Sequence, residues 1–164
     1  MPNIQTTFPV NHAAAVAGAI FGSKPLLESR LAAAAIPFGT FVCQRASPAD
    51  GVDQCANPAA SADVTVRLRG IAIHNDTARN GFGYEINQGV TYMRKGMCWV
   101  VCESAIAQDV QPFIRFAAGT GIILGAVYNA ADTASAVQFG TPAIMTRSVL
   151  SAAGLVLVEI NLPG

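Results

Sequence analysis

The pattern of hydrophobic and polar positions along the chain predicts a series of β-strands. In segment 63–74, Val64, Val66 and Leu68 fall on one face and polar residues on the other, an alternation typical of a half-buried strand. Gly70 interrupts it, and a glycine inside a strand indicates a bulge or bend. We predict further strands over 37–45, 90–94, 97–103, 109–116, 143–150 and 155–162, with 122–128 either buried on both faces or only partly a strand.

Turn signals and spacing then indicate the fold class. Lys95-Gly96 separates two strand-like runs and predicts a hairpin, because glycine readily adopts the positive φ that short turns need. About eight strands at roughly ten-residue spacing, without strong helices between them, are typical of an all-β fold. We expect a single jelly roll or a small β-barrel or sandwich over residues 38–164.

Residues 1–37 lack this alternation and predict an extended N-terminal arm. Asn11 is suited to cap a short helical patch over 13–17, and the alternative is a frayed terminus. The apolar residues of the arm are candidates for contact with a partner or with neighbouring copies, the alternative being packing on the protein's own β-domain. They are Ile4, Phe8, Val10, Ile20, Phe21, Leu26 and Leu27.

Composition favours association and excludes several partners. Charged residues make up 12% of the 164 residues, and ten basic residues balance ten acidic ones. A neutral, charge-poor surface promotes association, although an ordinary soluble domain with an alanine-rich surface is the alternative. The cations are scattered, which argues against direct nucleic-acid binding. No apolar run reaches the roughly 18 residues that span a membrane, and we expect an intracellular protein or part of an assembly built inside a cell.

Candidate catalytic residues are few. His74 and Asp76 suggest a general base held by a carboxylate, but a histidine that bonds locally at the start of a loop explains the pair more simply. The sequence contains no Gly-x-Ser-x-Gly elbow and no phosphate-binding loop. The acidic residues are dispersed. We therefore expect no enzymatic activity, and a small hydrolase with a spatially assembled site is a minor alternative.

No metal or cofactor is expected. Cys98 and Cys102 lie four apart on one face of a predicted strand, roughly 13 Å from each other, too far to form a disulfide. Together with Cys43 and Cys55 they lack the short spacings of a zinc knuckle, and buried free thiols are the simpler expectation. Asp50 and Asp53 suggest calcium, but such a turn is common without metal.

Three segments resemble one family of structural proteins. Arg69-Gly-Ile-Ala-Ile-His74, Gly89-Val-Thr-Tyr-Met-Arg-Lys-Gly-Met-Cys-Trp-Val100 and Ser151-Ala-Ala-Gly-Leu-Val-Leu-Val-Glu-Ile-Asn-Leu162 occur in this order. Together they resemble the capsid cement, or decoration, proteins of tailed bacteriophages. Segment 18–29 has the small, Gly-Ala-rich character of that family's leading arm. The cysteines and the length of loop 46–62 depart from the family pattern.

The resemblance implies an all-β body clamped onto a shell of major capsid protein, on the outer face of the virion capsid. Neighbouring cement subunits are implied as further partners, as a homo-dimer or homo-trimer. Copies commonly sit between capsomers and brace the shell against the pressure of packaged DNA. The family has no catalytic residues to carry over to this chain.

A carbohydrate- or host-binding β-module on the virion surface is the alternative function. It would use the loops at 75–89 and 128–141. Separately, Tyr92, Trp99, Phe113 and Phe116 suggest an exposed aromatic platform for sugar or single-stranded nucleic acid. Their period-two spacing beside valines and cysteines favours core positions instead.

Overall fold

The computed structural model describes residues 16–45, 53–76, 81–140 and 142–163, except for the side chain of Ser23. Over these residues the fold is all-β and sandwich-like, which confirms the predicted class. None of them belongs to a helix long and apolar enough to cross a membrane. The elements are β1 (Ile20–Ala32), β2 (Ile36–Pro37), β3 (Phe41–Gln44), β4 (Gln54–Ala56), α1 (Ser61–Thr65), β5 (Leu68–Ala72), β6 (Gly83–Tyr84), β7 (Gly89–Cys102), β8 (Phe113–Arg115), β9 (Val127–Tyr128), β10 (Ala136–Val137), β11 (Ile144–Thr146) and β12 (Gly154–Asn161).

Strand β7 is the centre of the architecture. Its 14 residues pair with β1, β5 and β12 in antiparallel fashion and with β9 in parallel fashion. β12 lies along the second half of β7, from Gly154 opposite Cys102 to Asn161 opposite Lys95. β11 extends the sheet beyond β12, while β8 and β10 continue it beyond β9. β7 is the longest of the described strands, and its buried side chains include Val90, Tyr92, Cys98 and Val100.

Five of the strand pairings close into a ring. β1 pairs with β4, β4 with β3, β3 with β5, β5 with β7, and β7 again with β1. A small core lies against this ring and contains Val42, Cys55, Tyr84, Val90 and Tyr92. Because a closed ring leaves fewer open edges than a flat sheet, this half of the molecule has the barrel-like character that the sequence predicts.

The larger hydrophobic core lies beneath the second half of β7. Cys98, Val100 and Cys102 of β7 pack there with Val156, Val158 and Ile160 of β12 and with side chains from β3, β5, β8, β9 and β11. Leu157, between the core residues of β12, is buried as well. The position of β12 agrees with the sequence prediction of a closing strand near 155–162.

The predicted hairpin at Lys95-Gly96 is wrong. β7 runs without reversal from Gly89 to Cys102. Gly96 has a φ of +134°, but the residues on both sides of it pair with β1, and the register slips there. A glycine at positive φ serves bulges as well as turns. A partner from far away in the sequence holds this segment extended.

The predicted strand 63–74 begins too early. Residues 61–65 form the short helix α1, and the strand β5 starts only at Leu68. The carboxylate of Asp63 accepts hydrogen bonds from the backbone N–H groups of Ala59 and Ala60, each at 3.0 Å, which stabilises the helical turn. Val64 is buried while Val66 is exposed, so the two valines do not share a face as predicted.

The bulge predicted at Gly70 is confirmed. The pairing of β3 with β5 shifts register between Val42, opposite Gly70, and Cys43, opposite Leu68. A Cβ atom on Gly70 would lie 2.3 Å from the carbonyl oxygen of Met93. The glycine therefore lets β5 and β7 approach closely. Segment 122–128 is only partly a strand, with Val127–Tyr128 forming β9.

Much of the region predicted as an arm is a strand of the sheet. β1 covers Ile20–Ala32 and pairs with β7 from Ile20 to Leu31. Before it, the N–H of Ala19 donates to the carbonyl of Val16 in a turn. Residues 13–15 of the predicted helical patch lie outside the described residues. The division of the chain at residue 37 stays a prediction.

Candidate functional site

β1 exposes large apolar side chains although it belongs to the sheet. Phe21 is 52% exposed and Leu26 is 51% exposed. Contiguous apolar surface on a folded protein commonly marks an interaction site. We call the exposed apolar side chains of this strand the β1 surface; they are Ile20, Phe21, Leu26, Leu27 and Leu31.

Four of the seven sequence candidates lie exposed on β1, Ile20 and Phe21 before the bulge and Leu26 and Leu27 after it. The structure brings Ile20, Phe21, Leu26 and Leu27 together on one strand. Leu31, and Val16 just before β1, are also exposed and were missed by the sequence analysis. Their apolar character was the only available signal, because the strand has no inside–outside alternation. The other three candidates, Ile4, Phe8 and Val10, lie outside the described residues.

A partly buried ion pair joins β1 to β7. The guanidinium of Arg94 lies 2.7 Å from the Glu28 carboxylate, and the Tyr92 hydroxyl donates to the same carboxylate at 3.0 Å. The hydrogen bond from Arg94 lowers the pKa of Glu28 from its usual 4.5. Burial, reinforced by the neighbouring carboxylate, raises the pKa of Tyr92 to about 12. These contacts hold the β1 surface in place through side chains as well as through the sheet.

The middle of β1 bulges away from β7. Phe21 lies opposite Met97 and Leu26 opposite Lys95, so four residues of β1 face the single residue Gly96. Lys24, within the bulge, has a φ of +68°, a region that favours glycine over residues with a Cβ. Pro25 follows it and has no N–H to donate.

The outer edge of β1 is protected against pairing with another strand. From Ile20 to Arg30 no described strand pairs with that edge. Natural proteins commonly protect open edges with bulges, prolines and lysines, and the bulge at 22–25 contains Lys24 and Pro25. The β1 surface is therefore suited to contacts through side chains rather than to addition of a further strand.

A groove of about 470 Å³ opens beside this bulge. It is lined by Phe21 and Lys24 of β1, by Lys95, Gly96 and Met97 of β7, and by Glu159, Ile160 and Asn161 of β12. The groove thus continues the β1 surface onto the neighbouring strands. Its lining combines an exposed aromatic ring with two lysines.

His74 and Asp76 form a local pair at the start of a loop, the simpler of the two arrangements that the sequence suggests. The Nδ1 atom of His74 lies 3.3 Å from the Asp76 carboxylate, which is 94% exposed. The His74 ring packs on Phe38 with 4.8 Å between ring centroids. The second histidine, His12, lies outside the described residues.

The four cysteines are free and buried. Burial raises the pKa of the Cys43 and Cys98 thiols to about 12 and that of Cys55 to about 11. Thiols with such pKa values remain protonated near neutral pH and are poor nucleophiles and metal ligands. The burial of all four agrees with the prediction of buried thiols, with Cys98 and Cys102 in the larger core and Cys55 in the smaller one.

The remaining candidates of the sequence analysis have structural partners. Asp53 pairs with Arg30 at 2.6 Å, and Asp50 lies outside the described residues. No group of three or more His, Cys, Asp or Glu side chains suited to a metal occurs among the described residues. Of the four aromatic residues, Tyr92 and Phe116 are buried, and Trp99 and Phe113 are half-buried. They do not form an exposed platform.

The loop 128–140 is tied to a buried arginine. Arg115 of β8 lies 2.8 Å from the Glu103 carboxylate and 3.2 Å from that of Asp132. Its guanidinium stacks on the Tyr128 ring, 3.7 Å from the centroid.

In the other predicted binding loop, 75–89, Phe82 is 85% exposed, while residues 77–80 lie outside the described part.

Comparison with known proteins identifies the family. A family model described as "Structural cement protein (E217 gp24/Pam3 gp6)" matches residues 4–161. The chain belongs to the phage structural cement protein family. This confirms the resemblance found in the sequence. The cement protein has a capsid-stabilising structural role and is a component of the phage capsid.

Two solved structures share the fold of this cement protein. One is a chain from "The capsid of Myoviridae Phage XM1", with a TM-score of 0.66 and 16% identity over 97% of this chain and 98% of the other. The second is the "head fiber gp8.5 N base in bacteriophage phi29", with a TM-score of 0.52 and 10% identity over 86% of this chain and 100% of the other. The search of curated proteins found no match.

Proposed function

We propose that the cement protein binds the outer face of the capsid through the β1 surface and contacts the major capsid protein there. It acts as a structural clamp rather than as an enzyme. The observation that carries this proposal is the exposure of five large apolar side chains on one strand of the sheet. Burial of such side chains against a partner is favourable.

Rigid attachment of β1 to the body supports its role as the binding strand. The pairing with β7 and the contacts of Glu28 with Arg94 and Tyr92 fix the strand before any partner arrives. A preformed surface loses less conformational freedom on binding than a segment that must first become ordered. The low charge of the chain acts in the same direction, because few charged side chains must be desolvated.

Neighbouring cement subunits are the second proposed partner, as a homo-dimer or homo-trimer on the lattice. Contacts between copies already held on one shell benefit from a high effective concentration. Each copy can then bind the major capsid protein modestly and still stay attached. The candidates Ile4, Phe8 and Val10 remain proposed contacts with the capsid or with a neighbouring copy.

Co-sedimentation with capsid shells tests the proposed surface. Shells of the parent phage, assembled without cement protein, are mixed with wild-type protein and with the double variant Phe21→Ser/Leu26→Ser. Because both side chains are already exposed, the variant should fold normally. It should bind the shells about tenfold more weakly or worse. Heated shells carrying wild-type protein should also survive longer than shells mixed with the variant.

The matched control is Val66→Ser/Val149→Ser, which removes two exposed valines outside β1. It should bind as the wild type does. Normal binding by the Phe21→Ser/Leu26→Ser variant would show that the β1 surface is not the capsid interface. A separate deletion of residues 1–15, which leaves β1 whole, tests the contribution of Ile4, Phe8 and Val10.

A further inference from the structure

The two lysines of the chain meet at the groove beside the β1 bulge. Lys24 and Lys95 are 71 positions apart in the sequence, yet both line this groove and both are exposed. Every other basic residue in the sequence is arginine. Both lysine side chains of the sequence therefore lie at one groove.

These lysines differ from the other described cations in having no partner. Arg30, Arg67, Arg94, Arg115 and Arg147 each pair with a carboxylate, and Arg45 and Arg69 each donate to a glutamine. Within the described part of the chain, Lys24 and Lys95 take part in no ion pair or side-chain hydrogen bond. Their positive charges are available to a ligand.

The acidic residue of the groove does not neutralise them. The carboxylate of Glu159 lies 2.5 Å from the guanidinium of Arg147, and Arg147 also holds Asp109 at 2.6 Å. The charge of Glu159 is thus committed to a neighbour outside the groove. Two lysines and one glutamate give the lining of the groove an excess of one positive formal charge, next to the exposed Phe21 ring.

The backbone at Lys24 is strained, which is unexpected for a residue without a role. Its φ of +68° is unfavourable for a residue with a Cβ relative to glycine. The flanking Gly22 has a φ of +88° and adopts it without that cost. Residues held in such conformations cluster at functional sites. Here the strain places a lysine at the rim of the groove.

We propose that this groove binds an acidic segment of the capsid protein, with one or two carboxylates against Lys24 and Lys95 and an apolar neighbour against Phe21. This inference rests on the proposed function and names the chemistry of the partner. The protected edge of β1 supports it, because Lys24 and Pro25 in the bulge disfavour backbone pairing and leave side-chain contact as the available mode. Complementary charges would also fix the orientation of the cement protein on the shell.

Carbodiimide cross-linking on cement-free capsid shells tests the partner directly. The reagent joins a lysine amine to a carboxylate in contact with it, without a spacer. Mass spectrometry of wild-type complexes should find Lys24 or Lys95 joined to an Asp or Glu of the capsid protein. In a parallel sample, amine acetylation of both lysines should be slowed in the bound protein relative to the free protein.

Substitutions of the two lysines distinguish an effect of their charge on binding from an effect on folding. Lys24→Gly relieves the positive φ, so it should keep or raise the thermal stability while binding falls several-fold. Lys24→Arg retains the charge and should bind as the wild type does. Lys24→Glu/Lys95→Glu should weaken shell binding about tenfold or more. Wild-type binding should weaken with added salt, and the weakening should be smaller in Lys24→Gln/Lys95→Gln.

The outcomes distinguish this inference from the proposed function. If the wild type binds the shells but the lysines are neither cross-linked nor protected, and Lys24→Glu/Lys95→Glu binds normally, the acidic-segment inference is overturned and the β1 surface stands. If Phe21→Ser/Leu26→Ser also binds normally, the β1 surface is overturned as well. Weaker binding by both the lysine variants and Phe21→Ser/Leu26→Ser, with cross-links in the wild type, supports the inference.

Discussion

The carboxylate of Glu28 lies 2.7 Å from the guanidinium of Arg94 and joins β1 to the centre of the sheet. Arg94 also donates to the backbone carbonyl of Pro163, after the end of β12. A single arginine therefore links three strands. The Nε atom of Arg94 is buried without a hydrogen-bond partner, so loss of Glu28 would leave this side chain still less satisfied.

Replacement of Glu28 by Gln should loosen β1. The variant loses the charge that Arg94 faces, and we expect a decrease of about 1–2 kcal/mol in the free energy of unfolding. Hydrogen exchange should become faster in residues 20–32 than in β12. Asp53→Asn is the control, since it breaks the exposed pair with Arg30 and should change the stability by less than about 0.5 kcal/mol. Equal effects of both variants would contradict the role of Glu28.

Acid should weaken the same attachment. Because the pKa of Glu28 is lower in the folded protein than its usual 4.5, the folded state binds fewer protons than the unfolded state as the pH falls. The stabilisation is fully present above pH 4.5 and is lost as the pH falls through the lowered pKa. Hydrogen exchange of β1 should accelerate in that acidic range, and Glu28→Gln should show a smaller pH dependence. If Glu28→Gln has the same pH dependence as the wild type, the loss of stability in acid comes from other groups such as Asp132, whose pKa is also lowered.

Loss of the buried arginine should be costly. Arg115→Met leaves the Glu103 carboxylate, which is 11% exposed, without its cation, and we expect a loss of about 3 kcal/mol in unfolding free energy. Asp132→Asn should have a smaller effect, because its side chain is 42% exposed. Chemical denaturation measures both. A loss in Arg115→Met no larger than that in Asp132→Asn would contradict the importance of the Glu103 pair.

Gly70 should tolerate no side chain. In Gly70→Ala the new methyl group would meet the Met93 carbonyl oxygen at 2.3 Å, so β5 and β7 must separate, and we expect a loss of about 3 kcal/mol or more. Gly89→Ala is the matched control within a strand. A Cβ atom there meets nothing within 4 Å, and the change should be neutral or slightly stabilising. Thermal unfolding distinguishes the two.

The strands that could be predicted are those whose pattern is local. β12 contributes Val156, Val158 and Ile160, at every second position, to the larger core, and its position was predicted to within a residue at each end. β7 was recognised as β-rich, but its continuity depends on β1, which lies more than sixty positions away. The Lys95-Gly96 pair has the same local chemistry in a turn and in a bulge. Sequence alone could not choose between them.

Only part of the candidate site could be predicted from the sequence. Phe21, Leu26 and Leu27 were selected because they are apolar in a region without alternation. That region is a strand whose exposed residues leave no periodic signal, and its conformation is imposed by pairing with β7. The groove depends on the approach of Lys24 to Lys95, which no local pattern encodes. The short helix α1 was missed because Asp63 stabilises it through contacts with Ala59, Ala60 and Arg67.

The pairing of β7 with both β1 and β12 has a consequence for the order of folding during synthesis. β1 leaves the ribosome first, yet its partner β7 follows only after more than fifty further residues, and the other edge of β7 waits for β12. Long-range pairings of this kind fold slowly. We therefore expect a nascent chain to fix the proposed binding strand only once β7 and β12 have been made, so that incomplete chains should bind shells poorly.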